Sequence, residues 1–272
     1  MGFFMENDPE KIVSRFYNQG GWVTADGLTE DARQFEDLRN VAAKYVSKCR
    51  LRVLTHIPKS GDKILDMASG PIQYPEYLEY SKNFNKRYCV DLSSVALDLA
   101  KKKISDHGVF LHGSFFDMEI QKDYFDCSIS LHTIYHIDKK KQEEAVRKLI
   151  HVTKPGHPII IVYSNPNALL SVLARALRKA KRLLHFSKEA SERVSPSLYI
   201  YAHSLSWWNI FSDVAIVKSF PWRSFASHHQ KRLFPSSSLG LRMLGILFYL
   251  EERFPRFFVK FFQYPMIVLT KR

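Results

Sequence analysis

The sequence has few cysteines and no long apolar run. Its three cysteines, Cys49, Cys89 and Cys127, lie far apart, and no CxxC pair occurs. A disulfide framework and a zinc site are therefore not expected, and a reducing, cytoplasmic compartment fits best. The longest apolar candidate, residues 244–250, is too short for a membrane span, and early acidic residues argue against a secretory signal. The 11 histidines show no ligand spacing with acidic partners, so no metal site is predicted.

Acidic residues become scarce in the second half of the chain. Residues 1–150 contain 22 Lys and Arg against 22 Asp and Glu, whereas residues 151–272 contain 18 against 5, so the net charge of +13 lies there. A basic surface attracts an anionic lipid face, a phosphorylated small molecule or RNA, or it serves solubility alone. No RNA-binding module is visible, so nucleic acid is not the expected partner.

Helical patterns dominate the first part of the chain, and strands alternate with helices afterwards. Within residues 29–57, apolar residues from Phe35 to Tyr45 recur at three- and four-residue intervals, which predicts one amphipathic helix. The later alternation predicts an α/β fold with a parallel sheet covered on both faces. The predicted organisation is an N-terminal helical cap over residues 1–57 and an α/β domain over residues 58–272. The α/β domain is expected to carry two helical insertions, at about residues 165–210 and 223–262.

A single glycine marks the turn after the first predicted strand, in the segment LDMASGP. In an open parallel sheet, ligands bind at the carboxyl ends of the strands, and a glycine in the first turn lets the backbone approach them closely. Asp91 follows Gly70 by 21 residues, at the end of the second predicted strand. A carboxylate there can accept hydrogen bonds from both hydroxyls of a ribose. The segment therefore predicts a nucleoside-binding βαβ unit.

The missing glycines narrow the choice of nucleoside. A dinucleotide site has the pattern GxGxxG, whose amides hold a pyrophosphate. This turn has one glycine, and Asp66 precedes it. The carboxylate of Asp66 would repel a pyrophosphate and suits a cationic ligand. S-adenosylmethionine fits this description, because it carries an ammonium, a sulfonium and a ribose but no phosphate.

Over about residues 60–165 the sequence resembles the class I S-adenosylmethionine-dependent methyltransferases. The matching motifs occur in the family's order: LDMASGP, VDLS, GSFFDM, YFDCSISLHTIYHID and KPGHP. The sequence departs from the family at Ala68, Ile72 and His157, where the family has glycines.

The resemblance implies a Rossmann-like, doubly wound sheet of about seven strands, the last antiparallel, with an N-terminal helical lid and helical insertions before and after the sixth strand. It implies S-adenosylmethionine as the cofactor. The residues that it places around the cofactor are Asp66, Ala68, Ser69, Gly70, Asp91, Leu92, Phe116, Asp117, Leu131 and His132.

The loop after the fourth predicted strand contains the candidate catalytic residues. His132 and His136 could take a proton from the acceptor as the methyl group arrives, since a histidine titrates near neutral pH. A structural role for His136 at a helix start remains open. Tyr135 is a candidate for binding the acceptor.

Aromatic residues outside this loop complete the predicted site. Tyr17 and Trp22 lie in the segment that the family folds over the cofactor. Trp207 and Trp208 lie in the insertion where the family builds its acceptor pocket. Simple packing of the surrounding helices would also explain each of these four residues.

The expected function is methyl transfer to an oxygen or nitrogen atom of a small molecule, such as a sugar or a secondary metabolite. One alternative is a lipid or quinone-type acceptor, reached by peripheral contact of the basic C-terminal half with an anionic membrane. Another is a non-enzymatic interaction protein on a degenerate methyltransferase fold.

Overall fold

The computed structural model of the protein describes residues 8–22, 24–25, 28–184 and 198–272. One seven-stranded sheet runs through these residues, formed by β1 (Gly61–Met67), β2 (Phe84–Asp91), β3 (Gly108–His112), β4 (Cys127–Leu131), β5 (Pro158–Val162), β6 (Ala215–Arg223) and β7 (Tyr264–Lys271). The strand order is β3-β2-β1-β4-β5-β7-β6. Strands β1 to β5 pair in parallel, and β7 is antiparallel to both of its neighbours. The predicted Rossmann-like sheet with an antiparallel last strand is confirmed.

Helices cover both faces of the sheet and precede it in the chain. They are α1 (Pro9–Phe16), α2 (Glu30–Phe35), α3 (Asn40–Leu51), α4 (Pro75–Glu79), α5 (Ser94–Ile104), α6 (Gln142–Val152), α7 (Leu169–Leu184), α8 (Ser227–Leu233), α9 (Ser238–Arg253) and α10 (Pro255–Phe261). A short antiparallel ladder joins Thr24–Ala25 to Leu28–Thr29.

The central strands are apolar on both sides because each side faces a core. On β5, Ile161 packs with residues of α6 such as Leu149, and its neighbour Ile160 packs on the other face with Trp222. Successive side chains of a strand point to opposite faces, so a strand buried on both sides reads as an unbroken apolar run. This explains why the sequence PIIIV identifies β5 so clearly.

The predicted continuous helix over residues 29–57 is wrong, because the chain leaves the helical path between α2 and α3. Glu36 and Asp37 lie at this break and are buried. Glu36 pairs with Arg50 and Arg223, which fixes the break to the body of the fold. Phe35, which the periodicity placed on a buried face, is 44% exposed.

The helix between β1 and β2 is short. Residues 74–84, YPEYLEYSKNF, fit a helix in sequence, but α4 ends at Glu79 and β2 begins at Phe84. Phe84 is buried against Tyr80 and Ile64. Gly61 is the partner of Phe84 across the sheet, and an added Cβ on Gly61 would collide with the ring of Phe84. Phe84 is therefore the first residue of β2 and is not part of the preceding helix.

The predicted division into a cap and an α/β domain remains a prediction. Helices α1 to α3 fall in the predicted cap, α7 in the first predicted insertion, and α8 to α10 in the second. Residues 1–7 of that cap and residues 185–197 of that insertion lie outside the described residues. Within the described part of the chain, no helix is long and apolar enough to cross a membrane.

Candidate functional site

The turn after β1 has an uncommon backbone conformation. Ala68, Gly70 and Ile72 have positive φ angles of 57°, 55° and 49°. This conformation costs a residue with a side chain about 1 kcal/mol. A Cβ added to Gly70 would also lie 3.2 Å from the ring of Trp22. Gly70 is therefore a position where a side chain would be both strained and crowded.

Asp91 ends β2 beside this turn and binds it. Its Oδ2 accepts a hydrogen bond from the amide of Gly70 and its Oδ1 accepts one from the amide of Ser93, both at 2.8 Å. Burial raises the pKa of Asp91 to about 6, although the two amides oppose that rise. Each carboxylate oxygen keeps a further lone pair, so Asp91 can still accept hydrogen bonds from ribose hydroxyls.

Asp66 forms a buried ion pair with Arg87 of β2. Its Oδ2 accepts hydrogen bonds from Nε of Arg87, at 3.1 Å, and from Nη2. Burial raises the pKa of Asp66, and the charge of Arg87 opposes that rise. Because this carboxylate is already balanced by Arg87, it attracts a cationic ligand less than its position in the sequence suggests.

The N-terminal segment is tied to the ends of β2 and β3. Ser93 donates a hydrogen bond to Asn18 at 2.7 Å, and Ser114 donates one to Glu10 at 2.8 Å. Tyr17 stacks on Trp22, with the ring centroids 4.7 Å apart. Both aromatic residues therefore lie at the turn that follows β1.

A cavity of about 950 Å³ opens at the carboxyl ends of the strands. Its lining includes most of the predicted cofactor residues, namely Asp66, Ala68, Ser69, Gly70, Asp91, Leu92, Phe116, Leu131 and His132. Tyr17, Trp22, Tyr135 and His136 line it as well. Asp117 does not; it is exposed beyond the end of β3.

The two histidines after β4 are buried in different surroundings. Nδ1 of His136 donates a hydrogen bond to the carbonyl of Tyr199 at 2.8 Å, which leaves Nε2 with a free lone pair. Nδ1 of His132 lies 3.0 Å from the hydroxyl of Tyr135. Burial lowers the pKa of His136, and it lowers the pKa of His132 to about 3. Both rings are neutral near pH 7, as a base requires.

The structure places Trp207 and Trp208 away from the cavity. Trp207 stacks on His203, with centroids 4.4 Å apart, and Trp208 is buried against Tyr163 in the core. They lie in a short 3-10 helix before β6, Leu205–Phe211, whose Trp208 and Phe211 are buried in the core. Trp222 lines the cavity, and sequence reasoning did not consider it. Its partners in the lining, Tyr74, Tyr77 and Tyr264, were also missed.

A buried charge network borders the cavity, with Glu36 and Arg223 in the lining, and no sequence motif predicted it. Glu36 accepts hydrogen bonds from Arg50, at 2.7 Å, and from Arg223. Burial alone would raise the pKa of Glu36, but Arg223 and Arg50 hold it below its usual value. The guanidinium of Arg50 also lies 3.3 Å from the ring centroid of Tyr74. These residues are up to 187 positions apart in sequence, so no local spacing could have revealed them.

Asp31 is a second carboxyl of the lining that sequence reasoning missed. It is hydrogen-bonded to Gln73 and Tyr17, and burial raises its pKa to about 6. Among the described residues, no group of three or more His, Cys, Asp or Glu side chains could hold a metal ion.

Residues 65–161 match the model of a methyltransferase domain family. The match covers less than half of the chain, and together with the sheet topology it supports a class I S-adenosylmethionine-dependent methyltransferase. S-adenosylmethionine is the cofactor of this family. The site suits it, because the turn at Gly70 and the carboxylate of Asp91 meet at one end of a cavity large enough for a nucleoside.

A curated relative from Anoxybacillus flavithermus, described as an uncharacterized methyltransferase, is 26% identical over 129 residues. These residues are 46% of this chain and 59% of the relative, so the similarity spans about three fifths of the relative's length.

Solved methyltransferase structures share the fold over nearly the whole chain. Geranyl diphosphate C-methyltransferase from Streptomyces coelicolor A3(2) has a TM-score of 0.56 at 13% identity, covering 97% of this chain and 98% of its own. Magnesium protoporphyrin IX methyltransferase from Synechocystis PCC 6803 has a TM-score of 0.55 at 11% identity, covering 97% and 100%. Identities this low establish the common fold and leave the acceptor open.

Proposed function

We propose that this methyltransferase transfers the methyl group of S-adenosylmethionine to an oxygen or nitrogen atom of a small-molecule acceptor in the cavity. One observation carries the proposal. The same cavity of about 950 Å³ is lined by the cofactor residues Gly70 and Asp91 and, elsewhere, by Tyr135, Trp222 and Tyr264. Small-molecule sites are typically apolar and aromatic cavities of about 300–1,000 Å³, so the volume suits a cofactor with a small acceptor beside it.

The residues of the chain act mainly by position. The bound cofactor supplies a methyl group on a sulfonium, which leaves as a neutral thioether. Asp91, which the amide of Gly70 holds in place, binds the nucleoside end, and Tyr17 and Trp22 keep water from the turn. The acceptor atom forms its bond to the methyl carbon as the bond from carbon to sulfur breaks, and the acceptor's proton must then leave.

His136 is the residue proposed to receive that proton. It lines the cavity, and its Nδ1–H is engaged by the carbonyl of Tyr199, so Nε2 is the basic nitrogen. Its lowered pKa keeps the ring neutral at pH 7. His132 is less suited, because Trp222 and Tyr264 enclose it and its Nδ1 faces the hydroxyl of Tyr135.

The test combines cofactor binding with a search for the acceptor. Calorimetry with S-adenosylhomocysteine should show binding by the wild type and its loss on Asp91→Ala. Methyl-labelled cofactor is then incubated with the protein and a fractionated cell extract. Label in a small polar product supports the proposal. Absence of cofactor binding in the wild type contradicts it and favours the non-enzymatic interaction protein.

A lipid or quinone-type acceptor is the second candidate, and one observation favours it. Helix α7 carries a row of exposed leucine and valine side chains and lies at the cavity. Label in the organic phase of the same extract would select this candidate. The proposed compartment is the cytoplasm, which the three buried free cysteines support.

A further inference from the structure

Helix α7 turns an apolar stripe towards solvent. Leu169, Val172, Leu173 and Leu177 are 58%, 43%, 53% and 56% exposed. Their spacing of three and four residues places them on one face of the helix. Single exposed leucines are ordinary on a protein surface, but a continuous apolar row marks an interaction site.

The opposite face of α7 lies at the cavity. Ser171, Ala174 and Arg175 line the cavity. Ser171 donates a hydrogen bond to Gln263 at 3.1 Å, and Arg175 donates one to the carbonyl of Pro166 at 2.7 Å. A surface helix normally turns its apolar stripe to the core. In α7 this orientation is reversed, and polar contacts hold the helix in place.

The charge of α7 complements an anionic surface. Its sequence, LLSVLARALRKAKRLL, contains five Lys and Arg residues and no Asp or Glu. It lies in the half of the chain that carries the net charge of +13. A helix with an apolar stripe and a strongly basic polar face binds in the interface of membranes that contain anionic lipids.

A second exposed apolar row lies on α9, but it is not at the cavity. Leu239, Met243, Ile246 and Tyr249 are exposed on this helix. None of them lines the cavity that holds the cofactor residues. The two rows can therefore be tested against each other.

We infer that α7 docks the protein on an anionic lipid surface, with its apolar stripe at the boundary between headgroups and acyl chains. The cavity behind α7 then lies close to the bilayer, and an acceptor can pass from the lipid into the site. This second statement rests on the proposed methyl transfer, whereas the docking itself does not.

Vesicle flotation with the full-length protein tests the docking. Vesicles of phosphatidylcholine alone are compared with vesicles of phosphatidylcholine that also contain anionic phosphatidylglycerol. We expect binding to the anionic vesicles that weakens with salt. Leu173→Ser combined with Leu177→Ser should reduce the partition coefficient at least about tenfold, because two apolar side chains leave the interface.

Matched variants separate docking from misfolding. Ile216→Ser changes an exposed apolar residue outside α7, on β6 at the end of the sheet away from the cavity. This variant should leave the partition coefficient unchanged. Calorimetry with S-adenosylhomocysteine should give the same affinity for the double variant and the wild type. A protein that binds vesicles but not S-adenosylhomocysteine would remove the proposed function and keep the docking.

Three results would overturn the inference. The first is a wild type that does not float with anionic vesicles. The second is flotation that is lost with Ile246→Ser and Tyr249→Ser but kept with the α7 variant, which would assign docking to α9. The third is a wild type that sediments as a dimer and an α7 variant that sediments as a monomer, which would show that a second copy covers the stripe.

Discussion

Burial shifts the acids and bases of the cavity in opposite directions. It lowers the pKa of His132 and His136 and raises the pKa of Asp31 and Asp91. The cause is the same for all four, since burial disfavours the charged form of any group. Near neutral pH, both histidines are neutral and can accept a proton. The pKa of about 6 of each of the two carboxyls lies only a little below that pH. The residues of the site can therefore respond to a modest change of pH.

The role of His136 predicts a particular pH profile. In the wild type, kcat should fall on acidification only below pH 6.5, the ordinary histidine midpoint, because burial lowers the pKa of His136. His136→Asn should lower kcat about 100-fold, the size of a lost general base, and abolish that acidic limb. Initial rates with the identified acceptor measure both effects. An unchanged kcat, with unchanged affinity for S-adenosylhomocysteine, would leave His136 only a structural role.

Asp31 predicts a pH-dependent stability difference. Its pKa is about 6 in the folded state and 3.8 in the unfolded state, so the folded protein binds its proton more tightly. Asp31 therefore favours the folded state below about pH 4, and this contribution is lost as the pH rises through 6. Relative to wild type, Asp31→Asn should gain stability between pH 4 and 7, by at most about 3 kcal/mol. Urea unfolding at both pH values measures the difference, and a constant difference would contradict the prediction.

At the scale of elements, the site depends on two short irregular segments. The turn after β1 combines left-handed residues with an amide bound to Asp91. The break between α2 and α3 brings Glu36 to Arg223 at the end of β6. Both segments interrupt patterns that sequence periodicity can follow. Each also fixes a part of the cavity lining.

Comparing alanine variants of two glycines tests whether the turn at Gly70 takes part in cofactor binding. Gly70 and Gly156 both have positive φ, of 55° and 77°. Gly70→Ala and Gly156→Ala should each cost about 1 kcal/mol of stability from backbone strain. Only Gly70→Ala should also weaken binding of S-adenosylhomocysteine, because its Cβ would meet Trp22, whereas Gly156 has open space around it. Equal loss of affinity in both variants, measured by calorimetry, would contradict this role of the turn.

The buried ion pairs of Glu36 should contribute more to stability than an exposed ion pair does. Glu36→Gln should destabilise the fold by about 3–5 kcal/mol, because Arg223 and Arg50 remain buried without their partner. The exposed pair of Arg147 and Glu143 provides the control, and Glu143→Gln should cost less than about 1 kcal/mol. Denaturant unfolding measures both variants. Similar values for the two would show that Glu36 does not hold the break in place.

At the scale of the molecule, the cavity joins parts of the chain that lie far apart in sequence. The N-terminal segment, the ends of β1 and β2, helix α7 and the region after β6 all contribute to its lining. Hydrogen bonds from Ser93 to Asn18 and from Ser114 to Glu10 hold the first of these parts on the sheet. Binding of a ligand at the turn should therefore also stabilise the N-terminal segment.

Hydrogen exchange tests this connection. At a concentration of S-adenosylhomocysteine 100 times its Kd, amides that exchange by opening of the site should slow by up to about 100-fold. We expect this protection in α1 as well as in the turn at Gly70. Helix α9, which does not line the cavity, serves as the internal reference. Protection of the turn without protection of α1 would contradict a closed N-terminal lid.

The sequence by itself determined the sheet and predicted the end of the sheet that carries the site. These follow from local signals: apolar strands buried on both faces, the turn at Gly70, and Asp91 placed 21 residues later. Tertiary structure alone decided which further charges and aromatic residues line the cavity. Packing between distant elements places Glu36, Arg223 and Trp222 in the cavity lining. The same packing buries Trp208 in the core. No periodicity records such contacts, because their partners are set by the fold as a whole.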